Sequence, residues 1–203
     1  MGIHTKPIKM KVVLDNKYVD GVFERHKVRM CIAGHKYNMQ KGVHFDDVFS
    51  PAPNQNTARL MAALTVAMGL KRKAWGISLA YCWADLPPGK LIAVEYPKEH
   101  AREDTKGQPL YIILKKNCYG HPGAAKAWGE HRDKFMMERF SQDNWTIHKC
   151  TYDPCLFYIT RNRHPKQPQE CGIYYVSTVM AHWIGLNVLP MKKHGYSYTV
   201  PRM

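Results

Sequence analysis

The chain has 203 residues, 45% of them hydrophobic, with 30 Lys and Arg against 16 Asp and Glu for a formal charge of +14. That apolar fraction excludes a disordered chain, the length suits one domain with a sizeable core, and no apolar run nears the roughly 20 residues that cross a bilayer. The charge favours a polyanionic partner, most simply a nucleic acid, and no membrane partner is expected.

Residues 1–24 read as an extended lead-in ending in a hairpin, with Asp15-Asn16 and Asp20-Gly21 as turn signals. "HKVRMCIAG" (26–34) alternates basic and apolar residues and stops at Gly34, as an amphipathic strand does. A proline-punctuated loop, "FSPAPN" (49–54), leads to the clearest helix, 57–70. Thr57 caps that helix, Leu60, Ala63, Leu64 and Ala67 share its apolar face, and Gly69 ends it. Lys71, Arg72 and Lys73 form a basic turn that runs into a strand reaching Asp85. "LPPGK" is a turn, and "LIAVEYP" (91–97) and "PLYIILKKN" (109–117) are strands. A second helix starts near Ala124, with Trp128, Phe135, Met136 and Phe140 spaced for burial. "PCLFYITR" (154–161) is a strand, residues 161–170 a polar hairpin loop, and "GIYYVSTVMAHWIG" (172–185) a buried return strand running into a short turn. Residues 186–203 show no periodicity. Strands mixed with two long helices and a closing hairpin predict an α+β fold rather than an alternating parallel α/β one.

The six cysteines, Cys31, Cys82, Cys118, Cys150, Cys155 and Cys171, are scattered without a Cys-x-x-Cys pair. His148, Cys150 and Cys155 are close in sequence, but their spacing matches no common zinc pattern. Free thiols in a reducing compartment are expected. The first thirteen residues hold no apolar stretch of the kind a secretory signal needs. An intracellular location, cytoplasmic or nuclear, follows as the expectation. The acids are unevenly placed: after Glu170 none occurs among the last 33 residues.

Four blocks carry a resemblance. They are "KVRMCIAGHKYNMQKGVHFDDVFSPAPNQNTARLMAALTVA", "WGISLAYCWADLPPGKLIAVEYPKEH", "LYIILKKNCYGHPGAAKAWGEHRDKFMMERF" and "YDPCLFY". In this order and near this spacing, they resemble the reverse transcriptase of copia-type LTR retrotransposons, an RNA-directed DNA polymerase. The return strand sits where that family has its Asp-Asp hairpin. The resemblance covers residues 25–185. It implies a fingers and palm domain there, an N-terminal extension at 1–24 and an unpatterned tail at 186–203. The implied architecture is an antiparallel palm sheet packed with two long helices, with no thumb, because the chain stops soon after the hairpin.

The family's reaction uses two Mg²⁺ ions, one activating the primer hydroxyl and one neutralising the leaving pyrophosphate, and hard Mg²⁺ takes carboxylate oxygens. Carried onto this sequence, the first palm Asp falls on Gly76, the Asp-Asp pair on Val179 and Met180, and a further common acid on His182. None of these ligates Mg²⁺ through a carboxylate. Asp85 lies nine residues beyond Gly76, and at about 3.3 Å per residue a strand carries it far from that point. The resemblance therefore implies a polymerase site that has lost its metal ligands: not an enzyme, no cofactor and no metal site.

Other parts persist in the resemblance. Tyr81 matches the aromatic residue beneath the incoming sugar, although by itself it reads as a core aromatic on a strand. Lys27 and Arg29 match finger-strand bases that reach triphosphate, or else form a solvated strand face. Tyr119 and Gly120 match the turn against which the templating pair packs, or else form a helix-entry turn, with Gly120 allowing close backbone approach. Lys71, Arg72 and Lys73 touch a phosphate backbone or stand as a solvated charge run. The expectation is a degenerate, inactive reverse transcriptase domain that binds RNA or DNA without sequence preference. Two alternatives stand beside it: a co-opted basic module that holds RNA or DNA with other proteins of a ribonucleoprotein, and a decaying transposon fragment with no selected role.

Overall fold

The computed structural model describes residues 6–34, 39–142, 145–161, 170–176, 180–185 and 198–199. The fold is α+β, with antiparallel sheets and two long helices, as the mixed pattern predicts. The chain divides into two compact units, one of Met1–Phe49 with Tyr81–Trp128 and one of Ser50–Ala80 with Gly129–Met203.

The first unit opens with a long hairpin, β1 (Met10–Val19) and β2 (Val22–Ile32). Asp20 and Gly21 close it with φ of 51° and 79°, the two left-handed residues of a type I′ turn, which matches the twist of paired strands. Asp15-Asn16, the other expected turn, lies inside β1, in register with Lys27 and His26. A boundary between residues 24 and 25 falls within β2. The core of this unit is Ile8, Ile32, Ile92 and Val94, with Met10, Leu86, Ile112 and Cys118 packed against it. Two shorter strands, β4 (Ala93–Glu95) and β5 (Tyr111–Ile113), pair beside that core. They are briefer than the sequence suggests. Ile8 joins them by an N–H bond to the Ala93 carbonyl at 2.9 Å.

The second unit is built on a six-stranded antiparallel sheet of order β10-β3-β9-β8-β7-β6. Its strands are β3 (Lys71–Ile77), β6 (Trp145–Lys149), β7 (Leu156–Arg161), β8 (Glu170–Val176), β9 (Met180–Gly185) and β10 (Tyr198–Thr199). The return strand is thus two strands, β8 and β9, that pair with each other, and residues 177–179 between them lie outside the described residues. β6 is absent from the sequence expectation, and β10 falls in the stretch that shows no pattern. Along β7 burial alternates cleanly: Phe157 and Ile159 are fully buried, while Tyr158 is 47% exposed.

Helix α1 spans Gln55–Ala67 and begins earlier than expected. Its cap is Asn54 rather than Thr57, because the Asn54 side chain accepts the Asn56 N–H at 2.9 Å. The buried face also differs. Met61 is buried, with Thr57, Ala58, Leu64 and Thr65 half-buried, while Leu60 is exposed along with Ala63 and Ala67. The face turned toward β9 decides which residues are covered, and the helix carries apolar residues on both sides. Helix α2 spans Ala124–Gln142 and buries Trp128, Met136 and Phe140 at the expected spacing.

Phe157→Ala should lower unfolding free energy by about 3–5 kcal/mol, the usual cost of emptying a packed phenylalanine site. Tyr158→Leu, one residue on, should change it by about 1 kcal/mol or less. Urea denaturation of the two variants checks the alternation.

Candidate functional site

The expected site residues distribute over both units. Lys27, Arg29, Tyr81, Tyr119 and Gly120 belong to the first, and Lys71, Arg72, Lys73, Gly76, Val179 and Met180 to the second.

In the first unit most of them come together. Tyr119 is held to β2 by the Ile32 N–H, which donates to its carbonyl at 2.8 Å. Gly120 follows with φ of +89°, so tight against the Ile32 backbone that a Cβ at this position would overlap the Ile32 carbonyl. Tyr81 packs edge-on against Tyr119, ring centroids 5.3 Å apart. Tyr81 stands on a 3₁₀ turn, Ala80–Trp83, and not on a strand. β3 ends at Ile77, and Leu79 at φ 53° takes the chain out of the extended conformation. Burial raises the Tyr119 hydroxyl pKa, with Cys82 and Tyr81 acting in the same direction and Arg29 opposing them. Arg29 is thus within electrostatic reach of the tyrosine pair. It also lies 3.7 Å from Asp15 across the hairpin, in a half-exposed pair. Lys27, two residues before, is in register with the same Asp15.

Thiols surround this cluster. Burial pushes the Cys118 thiol up to about 12, helped by Cys82 and Cys31. Burial also raises Cys82. Cys31, Cys82, Cys118, Cys150 and Cys155 are free.

In the second unit, Lys71, Arg72 and Lys73 are not a turn. They are the first three residues of β3, in register with Gly185, Ile184 and Trp183 of β9. Pairing with a distant strand overrides the local preference of a charge run for a turn. The same register sets Gly76 opposite Met180 on one side and opposite Thr199 on the other. Val179 lies outside the described residues.

A tie that the sequence does not announce holds this unit's loops. Asp153 is 4% exposed and accepts the N–H of Cys155 at 2.9 Å and of Asn54 at 3.3 Å. The Cys155 thiol donates to the Pro51 carbonyl at 3.4 Å. Among the described residues, no three His, Cys, Asp or Glu converge as a metal ion needs.

The sequence profile of the family described as reverse transcriptase (RNA-dependent DNA polymerase) matches residues 2–152. The chain belongs to the reverse transcriptase family. The Retrovirus-related Pol polyprotein from transposon TNT 1-94 of Nicotiana tabacum is 27% identical to this reverse transcriptase chain over 154 residues. Those residues are 75% of this chain, and it spans 11% of the length of that polyprotein. The resemblance to copia-type retrotransposon enzymes is borne out. The profile match begins ahead of residue 25, takes in the whole β1–β2 hairpin, and stops before β7. No solved structure matches the chain.

Two outcomes test this geometry. Gly120→Ala should cost about 3 kcal/mol or more, combining a left-handed backbone with overpacking. Gly42→Ala, left-handed at φ +85° but facing open space, should cost about 1 kcal/mol; thermal melts separate the two. Alkylation by iodoacetamide at pH 8 should spare Cys118 and the fully buried Cys155, and modify both once the protein is unfolded, as read by peptide mass mapping.

Proposed function

We propose that this chain is a reverse transcriptase domain without polymerase activity that retains a basic, nucleic-acid-binding surface. The observation that supports the loss of chemistry is the register of β3 and β9, in which Gly76 is opposite Met180. By the family resemblance, these are positions of metal-ligating aspartates. A glycine has no side chain, and a thioether is a poor partner for a hard cation that prefers carboxylate oxygens. The residues present at this pair do not fit Mg²⁺, so no catalytic step is assigned to it.

The charge of +14 supports the binding half of the reading. Lys and Arg contacts to phosphates supply affinity without sequence information, and they release counterions as they form. Loss of carboxylates also removes the negative charge that would repel a phosphate backbone in a metal-free cleft. A role for the domain as a basic module beside other proteins of a ribonucleoprotein fits the same charge.

Purified protein should extend no primer on an RNA or DNA template with either Mg²⁺ or Mn²⁺. Template-dependent incorporation that survives removal of contaminating polymerases would overturn the proposal. Labelled RNA and DNA should bind with an affinity of about 1–100 μM at moderate salt, falling steeply as salt rises. Charge reversal at Lys27 and Arg29 should weaken binding more than reversal at Lys192 and Lys193, measured by fluorescence anisotropy at several salt concentrations.

A further inference from the structure

The six strands of the larger sheet carry a single acidic residue, Glu170 at the start of β8, and it is in register with Arg161. Of the bases on the same strands, Arg72 shares the register row of Tyr158, while Lys71, Lys73 and Lys149 alternate to the other face, where Lys149 meets Asp133. A sheet with this balance offers little to repel a polyanion.

One side of that sheet is open at β7, because Phe157 and Ile159 point into the core and leave Tyr158 exposed between them. Its register partner on β6 is His148, also exposed. The two rings are stacked, with centroids 4.5 Å apart and planes within 12° of parallel. That separation is close to the spacing of neighbouring strands, about 4.8 Å, so the stack runs across the sheet along one register row. The row continues from Tyr158 through Ile173 and Ile184 to Arg72, whose side chain is exposed. A third flat ring added to the stack would lie over half-buried Ile173, about 10 Å from Arg72 at two strand spacings. A long guanidinium side chain covers much of that distance.

We propose that this face binds single-stranded RNA or DNA, with an unpaired base extending the His148–Tyr158 stack and Arg72 holding a neighbouring phosphate. Bases in a duplex are already stacked on one another, so only an unpaired base can enter the row. The inference rests on the nucleic-acid-binding reading above and narrows it to a strand type and a site.

The test uses the full chain with labelled oligouridine and oligodeoxythymidine single strands, and a duplex of equal length, at low salt. Tyr158→Leu keeps apolar bulk without a ring. It should weaken single-strand binding about tenfold and leave duplex binding within about twofold, while Tyr158→Phe binds as the unaltered protein does. A single strand carrying 2-aminopurine should lose emission on binding and regain it with Tyr158→Leu. Equal loss of single-strand and duplex binding, or unchanged 2-aminopurine emission, would overturn the platform while leaving the broader reading intact. Failure of the unaltered protein to bind any of these nucleic acids at low salt would remove both.

Discussion

A buried carboxylate and a buried guanidinium set the terms for the second unit. Asp153 and Arg132 are each about 95% covered, at 4% and 5% exposure. A charge so far from water is tolerated only where donors or opposite charges meet it. Asp153 is met by two backbone amides, one just ahead in the chain and one 99 residues earlier at the entrance to α1. Arg132 is met by Asp133 at 2.6 Å, and Asp133 in turn draws Lys149 from β6. Cys155 is fully buried and feels both centres, since Arg132 lowers its pKa while Asp153 and Asp133 raise it, with burial the dominant effect upward. Proline loop, helix α2 and strands β6 and β7 are thereby fixed by a few polar contacts of defined direction. Apolar packing alone would permit many arrangements.

The same economy appears in the first unit, where the closest approach is made by backbone. Gly120 lets the Tyr119 turn lie against Ile32, and the Tyr81 ring then has a surface to pack on. A tyrosine pair positioned by main-chain hydrogen bonds does not depend on the metal pair to hold its shape. If the chemistry is gone, as proposed, the tyrosine cluster has its own reason to persist as structure.

Local signals in the sequence were readable where they decide structure locally. Asp20-Gly21 names its turn because few other dipeptides accept two left-handed residues, and α2 shows its register because Trp128, Met136 and Phe140 recur at helical spacing. Features set by distant partners were not readable. Lys71–Lys73 look like a turn until β9 supplies a strand to pair with, and "WTIHK" gives no sign of being β6 without β7 beside it. Asn54 outcompetes Thr57 as a cap where the chain is also tied through Asp153, a contact that sequence spacing cannot show. The family itself was legible, because ordered blocks survive even where single residues drift. Of the site, the nearness of Gly76 and Met180 follows from the order of those blocks, whereas the His148–Tyr158 stack depends on a cross-strand register that composition does not encode.

Each unit is assembled from two separated stretches of chain, and this governs how the protein can be made. A ribosome releases β3 long before β9, its neighbour from Lys71–Gly185 to Gly76–Met180, has been synthesised. At about 5–20 residues per second the wait is several seconds or more, during which β3 and the face of α1 that meets β9 have no sheet to join. Contacts this remote in sequence also make folding slow once the chain is complete. The run of Lys and Arg that opens β3 then has a use before any ligand arrives: charge on a waiting strand edge discourages it from pairing with the same edge of another nascent copy.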